Sequence, residues 1–202
     1  MRRSHRRGGA FRSLWRWEAP EYAAHLKRLD KTSRRQRFHG AVSDQLLDMH
    51  AAKALTNPAV RVIGWFKDGV LRGAVEVALC PAPHGPAAEA SFAVEEPFRR
   101  GGVGSRLMRR ALLFARNRGV AQMHIFTEAG NEAMIALATG ADARFAADGW
   151  ETTGVMDAGE RTVFSLGYEA VEEEAGVLSW GWSALRRAIA GALVGNPASQ
   201  TP

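Results

Sequence analysis

The sequence predicts an α/β fold: a mixed, mainly antiparallel sheet of about six to seven strands with helices on both faces. Three observations predict it. The apolar pattern runs with helical period up to residue 56 and changes to period 2 near residue 59. Two runs rich in β-branched and aromatic residues then flank Lys67-Asp68-Gly69, and Asp-Gly is a strong hairpin signal. Finally, a strand pattern over 88–96, a Gly-rich turn, a helix pattern and a second strand pattern follow one another as a βαβ unit.

The elements follow in chain order. Residues 20–30, PEYAAHLKRLD, form a helix with Pro in its first turn and Tyr22, Leu26 and Leu29 on one face. The cationic run TSRRQRF ends at Phe38, an apolar anchor. Ser43 caps the next helix, which turns Leu46, Leu47, His50 and Leu55 inward and stops at Asn57-Pro58. Strands are expected over 59–66, 70–79 and 88–96, the last ended by Pro97. The helix that opens at Val103 has a stripe of Val103, Leu107, Ala111, Leu112 and Ala115, and Gly119 stops it. A strand over 120–128, a short helix over 131–140, a hairpin around Asp148-Gly149 and a last strand over 160–168 complete the domain. Glu172-Glu173-Glu174 reads as a hydrophilic break before a separate amphipathic helix over 180–194. The organisation expected is therefore a disordered basic tail (1–12), one domain (13–168), and an acidic linker with a C-terminal helix (169–202).

The 202 residues, 46% hydrophobic and 24% charged, suit one globular core with loose ends. The net charge of +6 is unevenly placed. Residues 1–37 hold 12 Lys and Arg against 3 acids, a local +9, and the remainder carries −3. Basicity confined to one end, without interleaved stacking aromatics or a DNA-binding motif, argues against sequence-specific nucleic-acid binding. One cysteine, Cys80, excludes an intrachain disulfide and a Cys-based metal site, and fits a reducing, cytoplasmic compartment. No metal site is expected. His84 and His124 are lone histidines, read as structural.

The strongest chemical signal is Arg99-Arg100-Gly101-Gly102-Val103-Gly104-Ser105, between a strand and a helix start. Glycines let the backbone approach a ligand, and the first helical N–H groups lack intrahelical partners. Such a turn suits a phosphate or pyrophosphate. No Lys follows the glycines, which excludes a P-loop, and the dinucleotide pattern G-x-G-x-x-G fails at Leu107.

The order Arg99, Gly102, Gly104 behind AEASFAV instead matches R/Q-x-x-G-x-G/A, and here the sequence resembles the GNAT superfamily of acetyl-CoA-dependent N-acetyltransferases. LKRLDKTSRRQRFHGAVSD resembles the helical entry of a bacterial subgroup whose members include enzymes that acetylate protein lysines; GVLRGAVEV and NEAMIAL follow in family order, so the likeness spans roughly residues 20–145.

The resemblance implies acetyl-CoA as cosubstrate. Arg99, Arg100, Gly101, Gly102, Val103, Gly104 and Ser105 would hold its pyrophosphate. The pantetheine would lie along a splayed strand edge at Val94, with Asn131 in contact. Glu89 takes the position of the family's general base, with Glu76 on the neighbouring strand as second candidate. An ordinary reading stands beside each role: Glu89 as a strand residue binding a cation, Asn131 as a helix N-cap. Many relatives carry a Tyr acid after the Asn; here LATGADARF has Ala138 and no Tyr. The expected function is acetyl transfer to a primary amine on a protein or small molecule, with a catalytically weak acyl-CoA-binding module as the alternative. The C-terminal helix, with Trp180, Leu185, Ile189 and Leu193 near one face and Arg186 and Arg187 on another, suits a membrane surface, a protein partner or the domain's own sheet.

Overall fold

The computed structural model describes residues 8–82, 85–148 and 151–194. His84, the Gly149 turn position and the tail before Gly8 lie outside them. One seven-stranded sheet orders its strands β1-β2-β3-β4-β5-β7-β6. The strands are β1 (Ala10–Ser13), β2 (Val60–Lys67), β3 (Val70–Cys80), β4 (Ala87–Val94), β5 (Gln122–Glu128), β6 (Arg144–Asp148) and β7 (Glu151–Asp157). Only the β4–β5 pair is parallel. At the β2–β3 hairpin, Asp68 and Gly69 both take positive φ (49° and 75°), the backbone that a two-residue primed turn needs.

Helices cover both faces. Helices α1 (Ala19–Lys27) and α3 (Asp44–Thr56) pack Tyr22, Leu26 and Leu47 against Val62, Phe66 and Ala74 of the sheet. Helix α4 (Val103–Asn117) packs Leu107, Ala111 and Phe114 against Ile63, Val75, Val77 and Ala90 on the opposite face. The period-2 strands thus feed two apolar layers at once. Leu46 was expected inward but is exposed; Ala51 and Ala54 take the buried positions of α3 instead. The cationic run also forms its own helix, α2 (Lys31–Phe38), whose N-cap Asp30 accepts the Ser33 N–H at 2.9 Å. Helix α5 (Glu132–Thr139) follows β5.

Two expectations at the chain ends need correction. Residues 10–12 are not a disordered tail: Ala10–Ser13 pairs antiparallel with β2, and Phe11 is buried. Arg12 is fully buried as well, with its guanidinium on the Glu18 carboxylate and 4.1 Å from the ring centroids of both Trp15 and Phe66. Nor is 160–168 a strand followed by a linker. Val163–Val194 is one helix, α6, of 32 residues. Thr162 Oγ1 accepts the Ser165 N–H and Ser165 Oγ accepts the Thr162 N–H, a reciprocal start signal. The acidic triplet is part of the seam that docks α6. Arg110 pairs with Glu172, and Glu173 Oε1 accepts the Ser13 N–H at 2.8 Å.

Gly176 sets how closely α6 approaches. A Cβ there would sit 1.9 Å from the Phe11 carbonyl oxygen, which the β1–β2 ladder holds in place. Gly176→Ala therefore lifts the helix and should lower stability by about 1–3 kcal/mol. Gly181→Ala meets nothing within 4 Å and should raise stability by a fraction of ~1 kcal/mol through helix propensity. Urea midpoints of the two variants should move in opposite directions.

Candidate active site

Strands β4 and β5 pair only at Ala87–Gln122, Ala88–Met123 and Glu89–His124. Beyond that point Ala90–Val94 and Ile125–Glu128 diverge, leaving a wedge in the middle of the sheet with two facing, unpaired strand edges. Glu89 and His124 are the last paired residues and share one face, so both stand at the apex of the wedge.

The face is set by register. Glu89 lies opposite Ala78 and Ser91 opposite Glu76, so all point to the side of α1 and α3, while Ala88 and Ala90 point to α4. Helix α2 flanks this side of β4, and Arg35 Nε reaches to 3.9 Å from Glu128 Oε1 on β5. The cleft formed there offers Glu89, Ser91, His124, Phe126 and Glu128. Glu89 is half-buried, and no side chain among the described residues engages its carboxylate.

Glu76 is different. Its Oε2 accepts from Tyr22 Oη at 3.0 Å, Arg37 Nη2 at 3.0 Å and His50 Nε2 at 2.8 Å, joining α1, α2 and α3 to β3. Burial raises its pKa, but the His50 hydrogen bond and the Arg37 charge outweigh that and hold it below the usual carboxylate range. The same contact, with burial the larger cause, raises the Tyr22 phenol. A carboxylate saturated by donors is a poor proton acceptor; Glu76 organises the helices over the cleft.

At the other end of β4 the chain turns through the Gly-rich segment. Gly102 takes φ 82° and caps α4. A Cβ there would meet nothing within 4 Å, so the backbone angle, not packing, requires glycine. Among the described residues the N–H groups of Arg100, Gly101 and Gly102 have no acceptor, and those of Val103, Gly104 and Ser105 open the first turn of α4. The exposed Arg100 and the helix dipole add positive potential. This arrangement holds anionic oxygens through main-chain donors.

Arg99 does not face the loop. Its Nε donates to the Val94 carbonyl at 2.9 Å and its Nη2 donates to Asp30 Oδ2 at 2.7 Å, tying the loop to the start of α2. Burial raises Asp30, but the Ser33 and Arg99 hydrogen bonds prevail and hold it at about 2. Asn131 caps α5, its Oδ1 accepting the Met134 N–H at 3.2 Å, which leaves its amide nitrogen on the half-exposed side. Ala138 is buried, and the chain's two tyrosines, Tyr22 and Tyr168, lie on α1 and α6. Among the described residues no cluster of His, Cys, Asp or Glu could hold a metal ion, and no helix is long and apolar enough to cross a membrane.

The family model for GNAT acetyltransferases matches residues 11–140. The chain belongs to the GNAT acetyltransferase family. As a family member it is an acyltransferase, and its mostly antiparallel sheet with one parallel, diverging pair is the family's fold. The GNAT domain of PAT from S. lividans superposes with TM-score 0.65 at 17% identity, covering 74% of this chain and 90% of that one. YncA of Salmonella typhimurium, solved with its cofactor acetyl-CoA, gives 0.56 at 19% identity over 77% and 96%. The Salmonella typhimurium acetyltransferase that modifies the N-terminal serine of ribosomal protein L7/L12 gives 0.60 at 15% identity over 73% and 93%. No curated protein matches this GNAT chain by sequence.

Proposed function

We propose that this GNAT protein transfers the acetyl group of acetyl-CoA to a primary amine, on a protein lysine or a small molecule, with Glu89 as general base. The observation that carries this reading is the wedge: β4 and β5 part directly after Glu89 and His124, and no side chain among the described residues engages the Glu89 carboxylate there. A bound CoA fits the residues present. The free N–H groups of Arg100 to Ser105 would take its pyrophosphate, the open β4 edge ending at Val94 and the Asn131 amide would take its pantetheine, and the thioester would then lie toward the apex. CoA supplies an activated acetyl carbon and a stable thiolate leaving group.

The chain's own residues do the rest. Arg99 positions the loop rather than touching phosphate. The amine arrives from the α1–α3 side, where Glu89 and Glu128 favour a cation and Phe126 contacts its aliphatic stem. An ammonium cannot attack until it loses a proton, which Glu89 accepts. The nitrogen lone pair then forms the C–N bond as the C–S bond breaks; the nitrogen sheds its second proton to solvent, and the thiolate takes a proton from solvent, since Ala138 replaces a tyrosine acid.

The test is initial-rate measurement of free-thiol release from acetyl-CoA against a panel of lysine peptides, polyamines and small neutral amines. The expected result is release that requires an amine and leaves an acetylated product, fastest with cationic acceptors. Tight acetyl-CoA binding without amine-dependent release anywhere on the panel would overturn it.

A further inference from the structure

Helix α6 docks one side only. Gly176, Glu173 and Trp180 face β1 and Trp15, and Glu169 pairs with Arg118 of α4. Roughly a third of a turn away run Phe164, Tyr168, Val171, Ala175, Leu178, Trp182 and Leu185. Their spacing alternates four, three, four, three, four, three, the 3.5-residue period of a helix that packs against another helix. Every member faces solvent: the six larger side chains are 49–90% exposed. At the N-terminal end the stripe borders an open groove of about 550 Å³ that also includes Leu113 and Arg116 of α4. Phe164, Tyr168 and Trp182 alone leave on the order of 400 Å² of aromatic surface uncovered. That is the size of the largest apolar patch on a typical monomer, and Val171, Leu178 and Leu185 extend it toward one partner's share of a standard interface.

We propose that α6 pairs antiparallel with α6 of a second copy of this chain. Two features select that occupant. The first is size complementarity. About a two-fold axis between Ala175 and Leu178, the layers become Tyr168 on Leu185, Val171 on Trp182 and Ala175 on Leu178, so each layer sets a larger side chain on a smaller one. Parallel pairing would place Trp182 on Trp182 and Ala175 on Ala175. The second is area: the uncovered stripe approaches one partner's share of a standard interface, which a second identical stripe would match. The α6 seam lies at the β1 edge of the sheet, four strands from the wedge, so pairing leaves the site open.

Sedimentation velocity of the full chain across a micromolar dilution series tests this. The expected result is a dimer that Val171→Glu with Leu178→Glu converts to a monomer with unchanged acetyl-CoA binding and helicity. Orientation is read in a Cys80→Ser background. Leu178→Cys, near the axis, should form an interchain disulfide. Phe164→Cys should not, because antiparallel helices separate those positions by about 38 Å. A wild-type monomer at every concentration, a dimer that survives the double substitution, or equal cross-linking at Phe164→Cys would overturn the proposal. So would a monomer that floats with phosphatidylcholine–phosphatidylserine vesicles.

Discussion

Glu89→Gln should lower kcat by about 10²–10³-fold at neutral pH and leave acetyl-CoA affinity unchanged. The substitution is isosteric and removes only the ability to accept a proton, and Glu89 lies at the wedge apex rather than along the loop that faces the phosphates. The pH dependence is the decisive readout. A lysine-type amine has a pKa near 10.4, so at pH 7 only about one molecule in 10³ is deprotonated. The wild-type rate should depend only weakly on pH from neutral upward, because the enzyme removes the proton itself. The variant must wait for free amine from solution, so its rate should climb about tenfold per pH unit toward pH 10 and narrow the gap. A variant with the wild-type pH profile removes Glu89 from the role. Glu76→Gln provides the contrast: it breaks a four-way contact among α1, α2, α3 and β3, so it should lower stability and raise KM for the acceptor without that slope.

Glu95→Gln should cost about 3 kcal/mol at pH 7. Glu95 is buried where β4 ends and accepts from His25 Nδ1 at 3.1 Å, Arg28 Nε at 2.8 Å and Arg72 Nη1 at 2.8 Å. Burial alone would raise its pKa, but the hydrogen bonds from His25, Arg28 and Arg72 prevail and hold it at about 2. The sign follows from linkage. Because the folded pKa lies below the unfolded one, the stabilisation is fully present above about pH 5 and is lost as pH falls toward 2. Urea midpoints between pH 7 and pH 2 should show a steep loss for the wild type and a shallower one for the variant. Asp30 and Glu76 titrate in the same direction, so the slope should shrink and not vanish. Equal slopes would remove Glu95 as a source of acid sensitivity.

The N-terminal positive charge reads differently once these pairs are known. Arg12, Lys27, Arg28, Arg34 and Arg37 engage Glu18, Asp48, Glu95, Asp44 and Glu76 within the domain. All but Glu18 of these acids lie beyond residue 37, so four of the twelve cations behind the +9 are one half of an ion pair whose acid that segment does not contain. No count along the sequence reveals that, because each partner sits between 6 and 67 residues away.

What the sequence by itself determined is whatever depends on neighbours in the chain. The primed turn at Asp68-Gly69, the Ser43 cap, the period-2 runs of β2 to β4 and the Gly102 turn into α4 are local chemistry, and each appears where its residues require. Tertiary structure decided what depends on distant partners. Strand β1 is four residues long and exists because β2, some 50 residues on, supplies its hydrogen bonds. The stretch 160–168 alternates like a strand, yet the Thr162–Ser165 cap and the docking of Glu169, Glu172 and Glu173 onto α4 and β1 make it the start of a long helix. The different surroundings of Glu89 and Glu76 are of the same kind. Both are strand glutamates on one face of the sheet. Only packing shows that α1, α2 and α3 bring three donors onto Glu76, while the divergence of β4 from β5 leaves Glu89 at the apex of the wedge.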